Sequence, residues 1–138
     1  VGYVVEGSRT VYFAGDTDLF DEMAQLRGSV DVALLPVWGW GPSVGEGHLD
    51  PERAAAAAAM IAPAVAIPIH WGTFALPWVA VRGVSDDERS RPAREFAALA
   101  AERAPGVEVR VLEVGAGITF HAMGPRAPHG TKPSPSGG

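Results

Sequence analysis

Residues Asp31-Val32-Ala33-Leu34-Leu35-Pro36-Val37 are apolar without interruption after the first. A run this short and this unbroken has no polar face to give to water, so it reads as a strand covered on both faces, in the interior of a sheet. The other elements are placed around it. Thr10-Val11-Tyr12-Phe13-Ala14 is a second apolar run, preceded by the strand-like Gly2-Tyr3-Val4-Val5-Glu6 and a turn at Gly7-Ser8. Val65 to Ile69 is a third, with Pro68 near its end, where a missing ladder donor costs least.

The segments between these strands read as helices. Asp18 to Gly28 has early acids, apolar residues at helical spacing, a late Arg27 and Gly28 as a stop, which predicts a short helix capped by Asp18. Asp50-Pro51-Glu52 supplies an N-cap, a proline at the first helical position and an early acid, and the helix runs through Ala54 to Ala59 as far as Ala62 before Pro63. Small side chains let that helix lie close on a sheet. Trp38 to Gly47 is rich in glycine and holds Pro42, so it is a loop, with Trp38 and Trp40 as packing plugs or pocket walls. Ala75 to Pro92 reads as a loop or lid, Ala93 to Ala104 as a helix ended by Pro105-Gly106, Val107 to Val114 as a half-exposed strand and Ile118 to His121 as a last one. From residue 122 proline, glycine and serine dominate, and a disordered tail is expected over 122–138, leaving one domain over 1–121.

Two strand ends carry chemistry. Gly15-Asp16-Thr17 follows the Thr10 run, and His70-Trp71-Gly72-Thr73 follows the Val65 run. Carboxylate and imidazole together are ligands that a borderline divalent metal accepts. Each also has a plainer reading: Asp after Gly is a common turn former, and a lone His is more often half-buried than ligating. His48, just before the Asp50 cap, is equally a loop residue or a group at a pocket rim. His121 and His129 carry no motif.

The net charge of −5 disfavours a phosphate-backbone partner, so no nucleic acid is expected. The absence of cysteine removes disulfides and thiolate ligands. No apolar stretch reaches the ~18 residues of a membrane span and no basic-then-apolar leader is present, so a soluble cytoplasmic protein is the expectation.

The order strand, Gly15-Asp16-Thr17, strand, Gly47-His48-Leu49-Asp50-Pro51-Glu52 helix, strand, His70 resembles the C-terminal half of a metallo-β-lactamase-fold hydrolase. It is most similar to the branch of sugar-phosphate lactonases and the N-acyl-phosphatidylethanolamine phospholipase D type. The resemblance runs from Val1 to Phe74 and more weakly to Phe120. It implies an α/β (α+β) fold, one mixed sheet covered by helices, as half of an αββα sandwich. It also implies a centre of two divalent metal ions, usually zinc, with Asp16 as the bridging carboxylate, His70 as an imidazole ligand and His48 as a substrate-contacting or acid/base group. Such a centre activates water at ~pH 7 against an ester, lactone, amide or phosphodiester of a small-molecule substrate.

The family's first half carries a His-x-His-x-Asp-His motif that this sequence lacks. The expectation is therefore half an enzyme. Its bare sheet face, with Val11 to Phe13 and Val32 to Leu35, is expected to meet a missing N-terminal half or to drive self-association. The alternatives are a non-catalytic remnant that needs a partner, and an α/β binding module in which Gly15-Asp16-Thr17 is a plain turn. No glycine-rich phosphate loop supports the module.

Overall fold

The computed structural model describes residues 2–38, 47–72 and 85–120. Strands β1 (Tyr3–Glu6) and β2 (Thr10–Phe13) form an antiparallel hairpin closed over Gly7, Ser8 and Arg9, with the Gly7 N–H donating to the Arg9 carbonyl at 3.1 Å. Strands β3 (Val32–Pro36), β4 (Val65–Ile69) and β5 (Glu108–Val109) then add in parallel, in the order β1-β2-β3-β4-β5. Parallel neighbours need crossovers. These contain a 3-10 helix (Asp21–Leu26), helix α1 (Pro51–Ile61) and helix α2 (Asp86–Arg103).

All three helical segments cover one face of the sheet. Tyr12, Ala33, Leu35 and Ala66 point from the strands into a cluster with Met23, Ile61, Phe96 and Ala100. Ala54, Ala55, Ala57 and Ala58 are fully buried, so α1 sits close to both the sheet and α2. At native packing density a larger side chain there has nowhere to go.

The opposite face is less bare than the sequence suggests. Val32, Val65 and Ile67 are buried there beneath Leu112, Ile118 and Phe120, and the Arg9 guanidinium lies 5.2 Å from the Phe120 ring centroid. Exposure is confined to the hairpin side, where Tyr3 is 61% exposed, Val5 59% and Phe13 40%. Pairing of Tyr3 with Phe13 and of Val5 with Val11 puts these residues on that same face.

Four boundaries differ from the sequence reading. Asp18 caps no helix, because the 3-10 helix starts only at Asp21 and its N-cap residue Phe20 makes no side-chain cap bond. Helix α2 starts seven residues before Ala93, at Asp86 behind the Ser85 cap, which takes the Glu88 N–H at 3.2 Å while the Glu88 carboxylate accepts the Ser85 N–H at 3.0 Å. Pro92, which suggests a break, is inside this helix; a proline there costs about 3 kcal/mol, offset by the reciprocal cap and by burial of Pro92, Ala93 and Phe96. The proposed lid over 75–92 thus shrinks, and its residues 75–84 lie outside the described ones. Third, β5 stops at Val109 and not at Val114: residues 64 and 66 face β5 in the alternating ladder, so Pro68 faces it too and has no N–H to offer. Residues 118–120 form no strand. Trp40, His121, His129 and the tail also lie outside the described residues.

Helix α1 ends on Ala62 in the left-handed region (φ 48°, ψ 55°), where the Arg27 guanidinium also caps the carbonyls of Ala59 (2.9 Å) and Met60 (3.2 Å). A Cβ is strained in that conformation, and the following Pro63 restricts it further. Ala62→Gly is expected to stabilise the fold by about 0.5–1 kcal/mol, the relief of strain exceeding the glycine's added unfolded-state entropy. A lower midpoint in denaturant melts of A62G would contradict this.

Two carboxyls elsewhere are held below the ordinary range: Glu88 by the Ser85 N–H and then its hydroxyl, and Glu52 by its hydrogen bond to Arg103 and then that group's charge. Native values below unfolded ones mean a contribution that is full above the unfolded value of about 4.3 and is lost as pH falls through the lowered native value. Thermal midpoints should hold from neutral pH to about pH 5 and drop below about pH 4. The gap between wild type and the Glu52→Gln/Glu88→Gln variant should close over that same drop.

Candidate metal-site edge

The parallel ladder brings the strand ends to one edge. Register Phe13↔Leu34↔Ile67, with Pro36↔Ile69, places Asp16, Val37 and His70 at one level just beyond β2, β3 and β4. The Ala14 N–H to Leu34 carbonyl (3.1 Å) and Val37 N–H to Ile69 carbonyl (3.0 Å) bonds carry the ladders to that edge. Strands β2 and β4, from which Asp16 and His70 follow, are two strand spacings, about 10 Å, apart. In open α/β sheets, the carboxyl edge of the strands is where ligands bind.

Backbone conformation turns these side chains off the strands. Gly15 (φ 68°), Gly47 (φ 98°), His70 (φ 62°) and Gly72 (φ 79°) are left-handed, next to Asp16, next to His48, at His70 and just after it. A Cβ on Gly47 or Gly72 would meet no atom of the described residues within 4 Å, so conformation alone asks for glycine there. His70 adopts it with a side chain, which is uncommon for a residue other than glycine. Its exposed imidazole lies 5.6 Å from the Trp38 ring, centroid to centroid, at 38°. Trp71 turns back and donates its indole N–H to the Pro68 carbonyl at 3.0 Å.

The structure brings Asp16 together with His48. His48 Nε2 is 3.2 Å from Asp16 Oδ2, with side chains 40% and 55% exposed. An ionised carboxylate only accepts, so Nε2 carries the hydrogen in this bond. His48 Nδ1 is buried with no hydrogen-bond partner among the described residues. His70 is not part of that pair. Among the described residues no group of three or more His, Cys, Asp or Glu side chains converges on one point. Asp16 and His70 are chemically suited to a divalent metal and sit on one edge, yet they are two donors where an open catalytic zinc site takes three.

Asp50 has the cap role read from sequence, accepting the Arg53 N–H at 2.7 Å. Two neighbours of the site are missed by sequence reasoning. Asp18 Oδ1 accepts the Leu19 N–H at 2.7 Å, and Oδ2 accepts the Gly47 N–H at 3.0 Å. Arg53 reaches the same carboxylate, its terminal nitrogen 2.8 Å from Oδ1 and 3.1 Å from Oδ2. The Leu19 and Gly47 amides, followed by the Arg53 charge, hold the Asp18 carboxyl below the usual carboxylate range. A signal was present: Arg53 is a cation in the first turn of α1, where the helix dipole favours anions, so it needs a carboxylate nearby.

Residues 1–71 match the Beta-lactamase superfamily domain family, over half the chain, and the chain belongs to that family. A protein of Anaeromyxobacter dehalogenans described as a UPF0173 metal-dependent hydrolase is 36% identical over 125 residues, covering 87% of this chain and 38% of that protein. The structure of Igni18, described as a novel metallo hydrolase from Ignicoccus hospitalis, superposes with a TM-score of 0.60 at 31% identity, over 87% of this chain and 45% of that one. The metallo-beta-lactamase fold protein YhfI of Bacillus subtilis gives a TM-score of 0.56 at 16% identity, over 81% and 41%, a likeness of fold. The five-stranded mixed sheet with its helices is thus a portion of the metallo-β-lactamase fold. The chain spans less than half the length of these relatives. No described helix is long and apolar enough to cross a membrane.

Left-handed backbone at His70 separates its conformational role from its imidazole. His70→Asn should keep stability within about 0.5 kcal/mol, since Asn tolerates that region. His70→Val should cost about 1–2 kcal/mol. Equal melting midpoints for the two variants would show that residue 70 does not hold this conformation.

Proposed function

We propose that this chain is the C-terminal portion of a metal-dependent hydrolase acting on a small molecule with an ester, lactone, amide or phosphodiester bond. The observation that carries the reading is the shared edge: Asp16 and His70 stand at one level beyond β2 and β4, with His48 bonded to Asp16. Asp16 and His70 would hold divalent metal, zinc being the first choice for a site with a carboxylate and an imidazole. When bound, such a metal supplies Lewis-acid polarisation of the scissile bond.

The chain's own residues do the rest. Asp16 carries its charge at the mouth of the edge, more than half exposed. His48 holds a hydrogen at Nε2, where it can be given to a leaving group or shared with a substrate oxygen. Trp38, beside His70, forms an apolar wall. The donors short of a complete set are supplied from outside the described residues in this reading, by an N-terminal half that also covers Tyr3, Val5 and Phe13. The non-catalytic alternative has one observation in its favour, the two-donor count among the described residues.

In the full-length protein, Asp16→Ala should strip most bound metal and reduce hydrolysis by more than the roughly 10- to 100-fold typical of an outer-sphere partner. His70→Ala should also lose metal. His48→Ala should keep its metal and lose turnover. Elemental analysis paired with hydrolysis of p-nitrophenyl acetate and bis(p-nitrophenyl) phosphate tests this, and metal loss in His48→Ala would make His48 a ligand instead.

A further inference from the structure

Gly47 and Leu49, on either side of His48, are tied to the loop that carries Asp16, and His48 itself is tied to helix α1. The Gly47 N–H donates to Asp18 Oδ2 (3.0 Å), the His48 carbonyl accepts from Arg53 (3.4 Å), and the Leu49 N–H donates to the Thr17 carbonyl (2.8 Å). Arg53 closes the circuit on Asp18. Leu49 anchors the loop in the core, fully buried. We propose that Asp18 and Arg53 are positioning residues, a clasp that fixes the His48 imidazole against Asp16.

The ion pair is half-exposed, with side chains 43% exposed at Arg53 and 29% at Asp18, and pairs of that kind contribute little to stability. What the clasp does control is geometry. Asp18 is two residues from Asp16, and Arg53 sits in the first turn of α1, whose position is set by buried alanines. One guanidinium nitrogen therefore references both the Asp16 loop and the His48 loop to a rigid helix. Without it, the left-handed Gly47, where a Cβ would meet no atom of the described residues within 4 Å, is a swivel directly before His48. A misplacement of about 1 Å at a reacting group can cost about 100-fold in rate.

The catalytic consequence rests on the hydrolase reading; the clasp itself does not, so the test has two arms. In the isotope-labelled full-length protein without metal, backbone order parameters at Gly47 and His48 should be about 0.85 and should fall below about 0.6 in Asp18→Ala and Arg53→Ala, with Leu49, β3 and α2 unchanged. Asp18→Asn, which keeps an acceptor, should fall between. Unchanged order parameters at Gly47 and His48 would overturn the clasp. In the metal-loaded full-length protein, with the two nitrophenyl probes, Asp18→Ala should lower kcat about 10- to 100-fold with KM and metal content held. In the His48→Ala background the same change should have no further effect. A further loss there, or loss of metal in Asp18→Ala, would show that Asp18 does not act through His48. Failure of wild type to hydrolyse either probe would count against the hydrolase reading, while the order parameters still decide the clasp.

Discussion

The register of β2, β3 and β4 is the constraint on which the rest depends. A shift of one residue in either parallel ladder would invert a strand's faces, sending Ala33 and Leu35 away from the helices and Val32 and Leu34 into them. It would also move Asp16 and His70 off a common level. The register is held because the two faces have different sizes. Alanines dominate where α1 approaches, whereas Val32, Val65 and Ile67 fill the side covered by Leu112, Ile118 and Phe120. Packing therefore specifies the candidate metal-site edge although none of the packed residues belongs to it.

The helices are subordinate to that arrangement. Helix α1 is mostly alanine, a strong helix former that supplies little apolar area for each residue, so its position depends on close contact with β3 and α2. Its ends are tied by polar bonds: Asp50 at the first turn, Arg27 on the carbonyls of Ala59 and Met60, and Arg103 on Glu52 at 2.7 Å. The last two come from the neighbouring helical segments, so the three crossovers brace each other and hold the loop that bears His48.

Where local chemistry and tertiary packing agree, the fold was legible in the sequence. The unbroken run after Asp31 is the central strand β3, and Asp50-Pro51-Glu52 opens α1 as its cap chemistry requires. Legibility fails where a distant group decides. Pro92 signals a break, yet the Ser85 cap and the burial of Phe96 carry α2 through it. Val107 to Val114 alternates like a strand, yet its partner Pro68 lacks the donor needed to continue the ladder. Asp18 reads as a cap because an acid before an apolar-periodic segment usually is one. Its true partners, Gly47 and Arg53, are 29 and 35 residues away.

The same distinction separates the candidate residues. Asp16 and His70 are visible in sequence because each ends an apolar run, and the parallel topology then aligns such ends without further instruction. His48 ends no run. Its place beside Asp16 follows from a glycine that turns the chain, a carboxylate that binds that glycine's amide and an arginine that answers to both loops. Left-handed residues at Gly15, Gly47, His70 and Gly72 gather at this one edge although the fold elsewhere needs only Gly28, Ala62 and Gly115 in that region among the described residues. Strained or permissive backbone concentrated at the ends of regular elements is how a scaffold whose strands all point along one axis turns a carboxylate and two imidazoles out of that direction.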